Sequence, residues 1–142
     1  MKELLMLVAL FSLTTIFAHG QSESDFIVVD QFGYLPQSQK VAVIRDPQTG
    51  FDAGESFSPG NDYSLINAET EESVFTDSPV KWKNGQTDAS SGDKIWWFDF
   101  SSVTASGKYY VLDIENEVRS FEFEISPSVY NEVLRQAVRT FF

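Results

Sequence analysis

Cysteine is absent from all 142 residues, which removes disulfide frameworks, thiolate metal sites and cysteine nucleophiles from consideration. Stability must come from packing alone. Histidine occurs once, at His19, so serine triads and histidine metal sites have almost nothing to draw on for a base or a ligand. Positive charge is also scarce: 10 Lys and Arg stand against 21 Asp and Glu, a formal net charge of −11. Nucleic-acid backbones and anionic lipid surfaces recruit clusters of Lys and Arg, so neither is an expected partner.

What is abundant is apolar and aromatic side chain, 42% and 15% of the sequence, enough for one sizeable core and little more. The first residues set the compartment. Lys2 precedes an apolar run over residues 4–17, short for a bilayer span, and Ala18-His19-Gly20 follows with small residues at both specificity positions. This reads as a signal peptide, residues 1–20, cleaved after about Gly20, with a secreted or periplasmic mature chain that has no membrane association. A buried first helix is the alternative, but the run lacks an amphipathic stripe. No cysteine follows the run, so no lipid anchor is expected. His19 leaves with the signal, and residues 21–25 read as a polar linker.

From Phe26 onward, short apolar runs are separated by Gly, Pro, Asn, Asp and Ser, the pattern of many short strands. Runs at 26–29 and 40–44 are each followed by turn chemistry, Gly33 with Pro36 and then Asp46-Pro47 through Gly50. Residues 63–67 and 73–76 read as a hairpin, and 79–83 as an edge strand beginning at Pro79. Residues 94–100 alternate most clearly, with Trp96, Phe98 and Phe100 on an inferred core face and Ile95, Trp97 and Asp99 opposite. Residues 108–115 place Tyr110, Leu112 and Ile114 on one side. Residues 119–125 follow, with Phe121, Phe123 and Ile125 inward. About seven or eight strands spaced about 8 to 12 residues apart, without helices between, predict a two-sheet antiparallel immunoglobulin-like β-sandwich over residues 26–126.

The period then changes. Ser126 is a good N-cap, Pro127 suits the first helical position, and Tyr130, Val133, Leu134, Ala137 and Phe141 recur at helical spacing. The stripe has no later partner in the sequence. Residues 127–142 are therefore expected to be the first helix of a second, truncated domain, the alternative being a C-terminal helix docked on the sandwich.

The stretch 27–44, IVVDQFGYLPQSQKVAVI, resembles the opening strand, Gly-Tyr-Leu-Pro turn and second strand of the N-terminal immunoglobulin-like domain of glycoside hydrolase family 9 enzymes. Residues 97–100, 107–112, 120–125 and 130–142 are similar to the last strands of that domain and the entry into its helical barrel. Asp30 stands where the family more often has Asn, and Phe32 where a smaller apolar residue is common. The resemblance implies a non-catalytic module of a secreted, endoglucanase-like, inverting β-1,4-glucan hydrolase, packing against and stabilising a catalytic α/α barrel. An independent carbohydrate-binding or scaffold sandwich is the alternative.

Inverting hydrolysis needs an acid and a base carboxyl about 6.5 to 9.5 Å apart across the sugar, and no such pair can be nominated here. Asp52-Ala53-Gly54 resembles the family's base-bearing Asp-Ala-Gly but lies between the second and third strands, so it reads as a loop with no catalytic role. The acidic residues 69–72 lack a calcium-loop pattern and read as a solvated turn. No catalytic residue, cofactor or metal is expected. Trp82, Trp97 and Tyr109 are the candidate contacts, to the catalytic domain or to a β-glucan, because aromatic rings off the core either bury at interfaces or stack on sugars.

Overall fold

A computed structural model of the chain describes residues 21–141; the expected signal peptide and Phe142 lie outside the described residues. Two sheets face one another. The first carries β1 (Ser22–Glu23), β9 (Val118–Arg119), β8 (Gly107–Asp113), β4 (Tyr63–Asn67) and β5 (Ser73–Asp77) in that order, with β10 (Phe123–Ile125) also paired to β8. The second runs β2 (Ile27–Val28), β3 (Val41–Pro47), β7 (Asp93–Asp99) and β6 (Val80–Lys81). All pairings are antiparallel except β1 with β9 and an isolated bridge from Tyr34 to Ile125. Ser22–Glu23 thus forms a strand within the segment expected to be a linker, held further by the Glu23–Arg119 ion pair at 3.0 Å.

The core follows from alternation. Ala42, Ile44, Phe98 and Phe100 project from the second sheet onto Tyr63, Leu65, Val111, Phe123 and Ile125 of the first, and all are buried. Trp96, expected in the core, packs against it at the rim and is half-buried. Tyr34 closes one end of the core, edge-on to Phe100 and Phe123 with ring centroids 5.3 and 5.2 Å away.

Two strands differ from the sequence reading. In β8 the inward residues are Tyr109, Val111 and Asp113, while Ile114 is exposed, so the expected core face of 108–115 is the outer one. The cause is Asp113, whose burial is made tolerable by hydrogen bonds from Gly60 N (2.9 Å), the Tyr63 hydroxyl (2.7 Å) and Asn116 Nδ2 (2.8 Å). Burial opposes its ionisation, but these donors hold its pKa below the ordinary carboxylate value. Gly60 must stay glycine here, since a Cβ would collide with the Asp113 carboxylate.

The expected strand 119–125 is interrupted. Arg119 lies opposite Leu112 and Phe123 opposite Tyr109, four steps on one strand against three on the other, a one-residue bulge. It turns Phe121 outward, 52% exposed, and leaves Ser120 buried. Ser120 Oγ accepts from Val111 N at 2.9 Å and donates to the Phe121 carbonyl at 2.8 Å, satisfying backbone groups that the bulge frees.

Candidate functional site: the exit of the sandwich

The Gly-Tyr-Leu-Pro turn does more than join two strands. Gly33 has φ +89°, and a Cβ there would collide with the Glu124 carbonyl and lie 2.8 Å from Val129 Cγ2. Only glycine allows both the left-handed backbone and this approach. Tyr34 N donates to Glu124 O at 2.8 Å and Ser126 N to Tyr34 O at 3.0 Å, so the turn pairs with the end of β10. The Tyr34 hydroxyl accepts from Asp30 N and donates to Val41 O, both at 3.0 Å; burial pushes its pKa up to about 12. Lys40, also buried, donates its ammonium to the Pro36 and Ser38 carbonyls at 2.8 and 2.9 Å, and burial lowers its pKa.

The chain leaves the sandwich through this turn. Residues 127–130 form turns rather than the first helical residues, with Ser126 Oγ accepting from Ser128 N at 3.2 Å. The helix α1 runs Asn131–Arg139, without a side-chain cap. Its Tyr130 N-cap instead sends its hydroxyl to Gly33 O at 3.0 Å. No residue of the helix is buried: Leu134 is 62% and Phe141, just beyond it, 82% exposed. Phe32 and Leu35 on the turn that carries Gly33 are likewise exposed, 46% and 38%.

The three aromatic candidates separate. Trp97 is 44% exposed on the outer face, opposite Val43 and Val80, with Val28 beyond Val43. These four make an apolar row across all strands of the second sheet. Trp82 lies in a 3-10 turn, Trp82–Gly85, not in an edge strand, and Lys83 Nζ sits 4.2 Å from its ring centroid. Tyr109 is not on an outer face. It is buried in the core with its hydroxyl donating to Ala105 O at 3.1 Å, so it reaches neither solvent nor partner.

Asp52 is a structural residue in a loop. Arg45 of β3 pairs with Asp52 and, at 2.9 Å, with Asp93 of β7, both carboxylates being nearly buried. Residues 69–72 form the turn between β4 and β5, and Glu71 accepts the Tyr110 hydroxyl at 2.7 Å. The Arg45 triad and the Gly33–Tyr130 contact are tertiary and carry no local sequence signal; the sequence shows Gly33 only as a turn residue and Tyr130 only as part of a helical stripe.

The family model described as cellulase N-terminal Ig-like domain matches residues 22–119. The chain belongs to this family. Solved structures similar to this Ig-like domain agree. A glycoside hydrolase family 9 protein of Bacteroides ovatus superposes with a TM-score of 0.63 at 24% identity, over 82% of this chain and 18% of that one. A metagenome-derived family 9 endoglucanase gives 0.61 at 33% identity, over 76% and 19%. A thermostable endoglucanase from Alicyclobacillus acidocaldarius gives 0.57 at 19% identity, over 85% and 18%, a likeness of fold. No curated protein sequence matches. The Ig-like chain thus spans under a fifth of the length of the structures it resembles.

Proposed function

We propose that this Ig-like domain is the N-terminal module of a secreted, inverting β-1,4-glucan hydrolase, exported through residues 1–20, and that it packs against and stabilises the catalytic barrel. The observation that carries the reading is the uncovered apolar surface of Tyr130, Leu134, Val138 and Phe141, held in a fixed direction by the Tyr130–Gly33 hydrogen bond. A helix with an apolar stripe is stable only when something covers it, and its place after the last strand makes a following domain the natural cover. Burying such side chains contributes about 1.5 to 3 kcal/mol each. Trp82 and Trp97 are proposed as further contacts to the barrel, with sugar contact as the second reading for Trp97, since its exposed ring stands in an apolar row and aromatic rings stack on pyranose faces.

The test is made in the full enzyme. Leu134→Asp combined with Phe141→Asp should lower the melting temperature of the catalytic domain and its glucan hydrolysis, while leaving the melting of residues 21–142 alone unchanged. Unaltered melting and hydrolysis would refute the packing role. Mass spectrometry of the exported protein should find Gln21 at the N-terminus.

A further inference from the structure

At the opposite edge of the second sheet lies an open cleft of about 660 Å³ between the loop before β4, the β5–β6 crossover and the 3-10 turn. Its floor is set by strand register. Trp96 lies directly opposite Lys81 on β6, and Lys94, two residues earlier on β7, shares its face. Trp96 packs on the core with one side and lines the cleft with the other. Asn84 adds an amide from the 3-10 turn, whereas the Asn61 amide, also lining the cleft, already donates to Glu115 Oε1 at 2.9 Å.

The charge here runs against that of the molecule. Lys81 and Lys94 form none of the ion pairs found among the described residues, whereas Arg45, Arg119 and Arg135 are all paired. The cleft's one acid, Asp46 on β3, lies directly across from Lys94 without forming an ion pair to it, and accepts from Phe57 N at 3.2 Å and Gln48 Nε2 at 2.8 Å. Two unpaired ammonium groups flanking a tryptophan, in a chain of net charge −11, suit a ligand with an apolar ring face and one negative group. Backbone φ is left-handed at Lys83 (42°) and Asn84 (57°), so the turn that presents Asn84 is held in a conformation non-glycine residues rarely adopt.

We propose that this cleft binds a mostly neutral glycan at an isolated uronosyl branch, the pyranose stacking on Trp96 and the carboxylate bridging Lys81 and Lys94. Tryptophan supplies the apolar platform and lysine the charge-assisted hydrogen bonds. A densely charged polyuronate or a nucleic acid fits less well, because the acidic remainder of the surface repels it at long range. This site is separate from the exit of the sandwich and does not depend on the packing proposed there.

Calorimetry on the chain decides it, with a xylo-oligosaccharide bearing one glucuronosyl branch, the same oligosaccharide unbranched, and polygalacturonate. The branched ligand should bind, shift the Trp96 indole N–H resonance and weaken with added salt. Lys81→Gln with Lys94→Gln should weaken it about tenfold or more, as expected for losing charge-assisted contacts, while Lys→Arg at both positions retains binding. Absence of binding, equal binding of the unbranched sugar, tighter binding of polygalacturonate, or indifference to the lysine substitutions would each overturn the proposal.

Discussion

The Tyr130 hydroxyl donates to the Gly33 carbonyl at 3.0 Å across 97 positions of sequence. One residue caps the helix and the other closes the Asp30–Gly33 turn, so their contact fixes the direction in which the chain leaves the sandwich. Tyr130→Phe should cost only about 1 kcal/mol of stability, the net worth of one hydrogen bond. It should also accelerate amide exchange over 131–139 relative to the strands. Unchanged exchange there would show that the contact does not orient the helix.

Gly33→Ala is the harsher change. It forces a side chain into φ +89° and against the Glu124 carbonyl, so about 2 to 4 kcal/mol should be lost in urea unfolding, combining backbone strain with a steric clash. The Gly54→Ala control, with nothing within 4 Å of the added methyl, should be near neutral.

Asp113 gives a pH dependence with a defined sign. Its folded-state pKa lies below the ordinary value, so its contribution is present above the unfolded aspartate pKa of about 3.9 and is lost as pH falls through the folded value. Asp113→Asn should therefore be less stable at pH 7 and should show a shallower loss of stability below about pH 4. Equilibrium unfolding from about pH 2 to about pH 7 measures both.

Arg45→Ala should destabilise by about 2 to 4 kcal/mol, since it leaves Asp52 and Asp93 nearly buried without a cation, a cost moderated by the partial exposure of Arg45. Asp52→Asn, which keeps the loop's size and removes one charge, should cost less. Denaturant titration of the two variants checks the order.

Trp97 and Phe98 are neighbours with opposite fates. Phe98→Ala should cost about 3 to 5 kcal/mol through the cavity it leaves, and Trp97→Ala within about 0.5 kcal/mol in the isolated chain, as at other exposed sites. Similar losses for both would mean that the outer face is covered within this chain.

The order of turns and strands, and the inward side of β7, were legible because Trp96, Phe98 and Phe100 alternate with a charged or exposed neighbour. β8 was not, because Tyr109, Tyr110, Val111 and Leu112 are apolar on both faces, and the residue that breaks the tie, Asp113, points inward. Its partners Gly60 and Tyr63 lie some fifty positions away, beyond any local pattern. Phe121 was misplaced for a related reason: a one-residue bulge reverses sides, and alternation read through it puts Ser120 outside and Phe121 inside. The exit of the sandwich was half legible. Its helical stripe and its Gly-Tyr-Leu-Pro turn were separately visible, but their contact is purely tertiary.

The most direct test of the proposed role is the coding sequence beyond Phe142. The account predicts an in-frame continuation several times the length of this chain, dominated by helical periodicity and carrying a pair of carboxylates suited to acid and base. A stop codon immediately after Phe142 would contradict it, leaving a free-standing sandwich with an exposed helix and no barrel to hold.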